Sequence, residues 1–261
     1  MIKKIHYVWL GGKIKPQCVL YCINSWRKQC PDYEFIEWNE SNFPINAFPW
    51  VKEAIDSKKY AFAADFIRLY VLEKYGGVYL DTDVEICKKI DNLLNANFVS
   101  GIENFHYRSP ILKRMDENGY DINTGKKVGG FGINVGFIYS IPHHPVIQYI
   151  ISDFYQNGHR HFINNDMTFN ITILDGVFMD VLHCNYGLKY IDRTQKLENE
   201  LMIYSSEIIS TTKSITSKSL IIHWYDQTWN EGDKSFNGKI KRYIRKHFIY
   251  RNCIKILRRN R

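Results

Sequence analysis

Hydrophobic positions along the chain switch repeatedly between a period of two and a period near 3.6, the alternation that builds α/β domains. Ile2 to Leu10 alternates and is β-prone, and Gly11-Gly12 closes it as a first strand. Pro16 to Cys30 carries Val19, Leu20, Ile23 and Trp26 on one stripe and reads as a helix. Pro31-Asp32 breaks it, and Tyr33 to Trp38 alternates as a second strand. Asn39 to Trp50 is a loop with Pro44 and Pro49, and Val51 to Ser57 is a short helix. Further on, Phe98 to Ile102 reads as a strand, Val128 to Ser140 as one glycine-rich strand, and Pro145 to Tyr155 and Ile173 to Leu182 as helices. Leu220 to Trp229 is a strand leaving into a loop. Asn104 to Lys127 is polar and without period, a long loop of the kind that serves as a lid or binds an acceptor.

The most informative stretch is Tyr60 to Glu85. From Ala61 to Lys74 it lacks Pro and Gly, and Phe62, Phe66, Leu69 and Leu72 or Glu73 recur at helical spacing. Gly76 and Gly77 supply a left-handed stop, and Lys74 stands near the negative end of the helix dipole. Val78-Tyr79-Leu80 then reads as a strand running into Asp81 and Asp83, which strand alternation puts on the face of Tyr79. Two such carboxylates, about 7 Å apart along a strand, can hold one hard cation that faces a phosphate. Asp65 and Arg68 are three apart and project from one face of the preceding helix, an acid and a base aimed at the same crevice. A solvent-exposed strand end is the competing reading of Asp81 and Asp83.

The combination D-x-x-R followed by Y-G-G-x-Y-L-D-x-D resembles the signature of the D-x-D glycosyltransferases of family 32, with Asp65, Arg68, Tyr79, Asp81 and Asp83 matching residue for residue. These are capsular-polysaccharide and sugar-polymer enzymes related to fungal initiating mannosyltransferases and, more distantly, to large glucosylating cytotoxins. The opening I-H-x-x-W-x-G-G and the segment S-W-R-K-x-x-P-D-Y-E-F-I-E-W are similar to the family as well. The resemblance implies a GT-A fold, a nucleotide-sugar donor and a divalent metal, Mn2+ or Mg2+. It makes Asp65, Arg68, Asp81 and Asn134 the catalytic set. Trp9, Tyr79, Asp65, Arg68, Asp81 and Trp229 become donor-binding residues, and Asp83, Asp81 and His223 metal ligands. In this reading Trp9 stacks on the nucleotide base and Trp229 closes over the donor, excluding water. From the residues alone, Trp9 equally reads as a core residue beside a turn, and His223 as a satisfied strand histidine. Glu85 can assist the metal or be a solvated glutamate. The family's T-G-P before a late helix is replaced by Asp175-Gly176-Val177, which leaves that region's part, acceptor-facing or not, open. Trp26 and Trp38 read as packing, and His143-His144 as polar turn residues rather than a metal pair.

Composition narrows the class. The 261 residues are 45% hydrophobic and 15% aromatic, enough for one sizeable globular domain. Six scattered cysteines without C-x-x-C suggest reduced thiols in a cytosol and no zinc site. No run of about 18 apolar residues suggests a membrane span, and the N-terminus reads as a strand rather than a signal peptide. The net charge of +8 is uneven: residues 239–261 hold ten Lys or Arg and no acid. Ile240, Ile244, Phe248, Ile254 and Leu257 line roughly one helical face among those charges. Such a segment can lie on an anionic leaflet, each basic residue contributing about 1 kcal/mol; a solubilising tail is the alternative.

The expectation is therefore a single GT-A-like α/β domain over residues 1–238, with a mixed, mainly parallel sheet flanked by helices, and a basic helical extension over 239–261. Its expected activity is retaining, metal-dependent transfer of a hexose from a nucleotide diphosphate sugar, a UDP-sugar before GDP-mannose, to a cell-surface polysaccharide or lipid-linked oligosaccharide. The expected setting is the cytoplasmic face of a membrane, without nucleic acid. Alternatives are a toxin-like protein glucosyltransferase, a glycosidase, which the closeness of Asp81 to Asp83 fits poorly, and a non-catalytic glycan- or nucleic-acid-binding protein.

Overall fold

The computed structural model describes residues 1–105 and 110–225; Trp229 and residues 239–261, the expected donor lid and membrane contact, lie outside the described residues. The first strand is β1 (Lys4–Val8), followed by helix α1 (Gln17–Gln29), strand β2 (Glu34–Trp38), and helices α2 (Pro49–Asp56) and α3 (Tyr60–Tyr75). Strands β3 (Gly77–Leu80), β4 (Val84–Ile86) and β5 (Phe98–Asn104) come next, then β6 (Phe131–Ile133), β7 (Phe137–Ser140) and helix α4 (Pro145–Tyr149). Helix α4 widens into a π-type helical segment over Ile150–Gly158. Helix α5 (Leu174–Tyr186) precedes β8 (Gln195–Leu197), β9 (Leu201–Tyr204), β10 (Ile209–Thr211) and β11 (Ile221–His223).

The main sheet has the order β2-β1-β3-β7-β5-β9-β8, with β6 paired to β5; a small second sheet has the order β10-β11-β4. The main sheet is mixed, as expected, but parallel pairing is not in the majority. β1 pairs in parallel with β2 and β3, and β5 with β9, whereas β3–β7, β5–β7, β8–β9 and β5–β6 are antiparallel. The reason lies in Val128 to Ser140, which is not one strand. Asn134 to Gly136 turns the chain so that β6 and β7 pair along β5 in separate places, and β7 enters between β3 and β5 in the antiparallel sense.

Apolar cores cover both faces of the sheet. Val78 and Leu80 point into the cluster that holds Ile5, Tyr7, Val19, Cys22, Ile23 and Trp26, while Tyr79 points into the one built on α3. In α1 the buried stripe is Val19, Cys22, Ile23 and Trp26; Leu20 is exposed, one position off the expected face. Helix α3 buries Ala63, Phe66, Ile67, Leu69, Val71 and Leu72, so it is apolar on nearly every side, as a helix enclosed between a sheet and other helices must be. Gly76 (φ 60°) and Gly77 (φ 98°) end it in the left-handed region. At Gly77 a Cβ would stand 2.7 Å from the carbonyl oxygen of Lys4, so only glycine lets β3 lie this close to β1. The buried imidazole of His6 anchors the same corner: it bonds the Gly76 carbonyl through Nε2 (3.0 Å) and accepts from Trp38 Nε1 at Nδ1 (3.1 Å). Burial pushes it down to about 4, so it stays neutral and structural.

Among the described residues no helix is long and apolar enough to cross a membrane, and Cys18, Cys22, Cys30, Cys87 and Cys184 form no disulfide.

Candidate active site

The D-x-D does not lie on a strand. β3 ends at Leu80, and Asp81 to Asp83 form the turn that carries the chain from the large sheet into β4 of the small one. The expected shared strand face of Tyr79, Asp81 and Asp83 is therefore replaced by a turn, and hydrogen bonds fix its shape. Asp81 N–H donates to Gly136 O (2.9 Å), Val84 N–H to Asp81 O (3.0 Å), and Trp224 N–H to Asp83 O (3.0 Å). The small sheet explains the last of these. β11 runs antiparallel to β4 with His223 opposite Val84, which sets the imidazole beside the turn.

His223 Nε2 lies 3.3 Å from Asp83 Oδ1 and 3.9 Å from Asp81 Oδ2. One ligand atom from each of Asp81, Asp83 and His223 falls within 4.8 Å of the others. Two carboxylates and an imidazole at that spacing are a donor set for one divalent cation, with borderline Mn2+ suited to the mixed oxygen and nitrogen ligands. Burial would push the imidazole down, but Asp83, by charge and hydrogen bond, and then Asp81 and Glu103 outweigh it and lift it to about 9. Its Nδ1 has no hydrogen-bond partner among the described residues.

Behind the turn stands Arg68, only 3% exposed. Its Nη2 donates to Asp81 Oδ1 at 2.8 Å, and its Nη1 lies 3.1 Å from Asp65 Oδ1 as an ion pair without hydrogen-bond alignment. The guanidinium carbon sits 4.6 Å from the centre of the Tyr79 ring, and the Tyr79 hydroxyl donates to the same Asp81 oxygen at 3.1 Å. One cation thus serves two carboxylates over an aromatic floor. Burial, reinforced by the charges of Asp81 and Asp175 and opposed by Arg68, pushes the Asp65 carboxyl up to about 7.

Asn134 is fully buried, and neither its amide oxygen nor its nitrogen has a partner among the described residues. A Cβ at neighbouring Gly136 would stand 2.7 Å from His223 Nδ1 and 3.2 Å from Asn134 Oδ1, so the glycine makes room for the imidazole and brings the amide close to it. The fold thus gathers Asp65, Arg68, Tyr79, Asp81, Asp83, Asn134 and His223. Trp9 is at the carboxyl end of β1, half-buried against the α1-side core, with its Nε1 donating to Lys13 O at 2.7 Å and Lys15 Nζ 5.6 Å from its ring centre. Glu85 is neither a metal ligand nor solvated. It is buried, accepting from Tyr21 Oη (2.7 Å) and Trp224 Nε1 (3.0 Å), and so braces the residue after His223. His143 bonds Glu73 while His144 caps α4, so they do not form a pair.

Three residues not singled out as site members from sequence also converge here. Glu103, at the end of β5, is 4% exposed and pushed up to about 7 by burial, with the charges of Asp175 and Asp81 adding to it and His223 opposing. Asp175, in the first turn of α5, is pushed up by burial. Tyr225 stacks on His223 at 3.9 Å between ring centres, with its own backbone in the left-handed region at φ 52°.

With the geometry in place, comparison with known proteins is specific. Residues 16–99, which include Asp65, Arg68, Tyr79, Asp81 and Asp83, match the family described as "Glycosyltransferase sugar-binding region containing DXD motif". This stretch is a DXD glycosyltransferase region. Inositol phosphoceramide mannosyltransferase 3 of Schizosaccharomyces pombe is 35% identical over 101 residues, which are 36% of this chain and 27% of that protein. Inositol phosphoceramide mannosyltransferase 1 of the same yeast is 26% identical over 192 residues, 70% of this chain and 51% of that one. The chain thus spans from about a quarter to about half the length of these curated relatives. Among solved structures, the one titled PaToxG Glycosyltransferase aligns with a TM-score of 0.45 at 19% identity, covering 70% of this chain and 69% of that one. In the glycosyltransferase region the DXD turn is contributed by the matched segment, whereas Asn134 and His223 reach it from outside residues 16–99.

Proposed function

We propose that the chain is a metal-dependent, retaining glycosyltransferase that moves a hexose from a nucleoside diphosphate sugar to a saccharide or lipid-linked saccharide. The observation that carries this reading is the convergence of Asp81, Asp83 and His223 within 4.8 Å, directly against the Arg68–Asp65 pair. A divalent cation there supplies Lewis-acid charge to offset the negative charge that builds on the leaving diphosphate. Asp81, Asp83 and neutral His223 would hold it. Arg68 fixes Asp81, and Asp65 and the unpaired amide of Asn134 orient the hydroxyls of the donor sugar, orientation being a large part of the barrier reduction. Trp9 takes the base. Transfer breaks the bond from the anomeric carbon to the diphosphate oxygen and forms one to the acceptor oxygen on the same face of the sugar. The acceptor hydroxyl proton passes to the departing diphosphate. No carboxylate is assigned as a nucleophile, and a covalent glycosyl–protein adduct trapped in turnover would refute this same-face step.

The mannosyltransferase names of the relatives support mannose as the sugar and keep GDP-mannose beside a UDP-sugar as donor. Their inositol phosphoceramide substrates, as named, support a lipid-linked acceptor, as does the basic stretch 239–261, for which peripheral contact with an anionic membrane is part of the proposal. No nucleic acid is involved in this reading. Trp229 is proposed to close over the donor.

Calorimetric titration with UDP and GDP, with and without Mn2+ or Mg2+, on wild type and Asp83→Ala, tests it. Binding of one nucleotide that disappears without metal and in the variant is the expected result. No metal-linked binding of either nucleotide ends the proposal.

A further inference from the structure

The β5–β6 ladder sets Glu103 directly opposite Gly132, and Asn134 lies two residues along the same face. Gly132 has no side chain, which leaves room opposite Glu103 for another element to pack. Asp175 reaches the same spot from α5, its Oδ2 3.1 Å from where a Cβ on Gly132 would stand. Glu103 is 4% exposed and Asn134 0%, yet neither Asn134 amide atom has a partner among the described residues. The Tyr225 hydroxyl stands beside the Glu103 carboxylate but makes no aligned hydrogen bond to it. Buried polar groups left in this state cost free energy, so the fold retains them at a penalty that a ligand can relieve.

The chemistry of the group selects the ligand. Glu103 and Asp175 belong to no cation-binding group among the described residues and repel a phosphate, whereas Asp81, Asp83 and His223 can hold the cation that draws the diphosphate. Acceptor hydroxyls can donate to both carboxylates and accept from the Asn134 amide nitrogen, whose oxygen is left for the donor sugar, so a neutral polyol satisfies this group. We propose that Glu103 and Asp175, with the Asn134 amide between them and the D-x-D turn, form the subsite that binds hydroxyls of the acceptor saccharide. This rests on the glycosyltransferase reading above and adds to it the residues that select the acceptor. Glu103 and Asp175 position the acceptor; they make no bond to the migrating sugar.

The test uses the full chain loaded with UDP or GDP and Mg2+, and methyl glycosides of mannose, glucose and galactose as acceptor probes. Saturation-transfer NMR reads glycoside binding, and calorimetry reads the nucleotide. At least one glycoside should bind the loaded wild type. Its affinity should fall tenfold or more in Glu103→Gln and in Gly132→Ala, the latter pressing a methyl group against Asp175, while nucleotide Kd stays within threefold. If the loaded wild type binds no glycoside, or if Glu103→Gln binds it as wild type does, the subsite is refuted and the donor site stands. If Glu103→Gln weakens the intact nucleotide sugar but neither the nucleotide nor the glycoside, the residue serves the donor sugar, and the proposal fails. Absence of metal-linked nucleotide binding in wild type is a different failure, that of the glycosyltransferase reading itself.

Discussion

Nε2 of His223 points at Asp83 from 3.3 Å because β11 is registered against β4 with His223 opposite Val84, one residue beyond Asp83. The imidazole, lifted to about 9, carries a proton at neutral pH where a cation would need its lone pair. Proton and metal therefore compete. Apparent Mn2+ affinity should fall about tenfold per pH unit below about 9, and His223→Asn should flatten that dependence while weakening binding. Metal-free protein should show the opposite trend. The ion pair stabilises it fully below the ordinary imidazole value of 6.5, and the contribution is lost as pH rises through about 9. Titration calorimetry over pH 6 to 9 and metal-free thermal melts check both signs; a pH-independent metal affinity would contradict the first.

Arg68 is the only guanidinium placed between Asp65 and Asp81 among the described residues, and it is buried. Arg68→Met should cost about 3–5 kcal/mol in urea unfolding, because it leaves two carboxylates without their cation. Arg68→Lys keeps the charge but lacks the fork that reaches both partners. We expect it to recover part of the stability and little of the transfer rate, which would separate a positioning role from a merely stabilising one.

Asp65 is the second of the two carboxylates that Arg68 serves, and burial raises it to about 7 against an ordinary 3.8. The folded state then holds a proton that the unfolded chain has released, so wild-type stability should decline as pH rises from about 4 to 7. Asp65→Asn should weaken that decline and be more stable than wild type at pH 8 by about 1–3 kcal/mol, while losing donor turnover. Equal pH slopes for the two proteins would show that Arg68 keeps Asp65 ionised throughout.

Gly136 is close-packed rather than flexible: its missing Cβ would be 2.7 Å from the imidazole of His223. Gly136→Ala should displace His223 and lower metal-linked nucleotide affinity at least tenfold, with a stability loss of about 1–3 kcal/mol from overpacking. Nucleotide titration with and without Mn2+ distinguishes this from general unfolding.

Much of the site was legible where chemistry and local order coincide. Asp65, Arg68, Tyr79 and the D-x-D are neighbours in sequence around one helix, one glycine stop and one strand, so spacing alone nearly assembles them. The turn at Asp81–Asp83 reads as strand in the sequence because alternation continues through Val84 and Glu85; pairing, which the residues do not reveal, assigns those to a second sheet. Val128 to Ser140 misled for a related reason. β6 and β7 are each so short that their apolar runs merge, and only the ladder with β5 separates them. Glu103 and Asp175 left no local signal, since a lone acid at the end of a strand or in the first turn of a helix is ordinary. The Asp175-Gly176-Val177 departure from the family pattern was the one available hint. His223 was found only through resemblance.

The turn that holds Asp81 and Asp83 also joins two sheets that have no strand in common, while His223 belongs to the smaller of them. A cation bound there would act as a clasp, coupling the opening of β10, β11 and β4 to that of the main sheet. Backbone amides of Ile222 and Val84 should then exchange with solvent more slowly when metal and nucleotide are present, and so should Trp224, whose N–H is bonded to Asp83. Donor occupancy would thereby be passed, as rigidity rather than movement, to the start of the chain that leads towards Trp229.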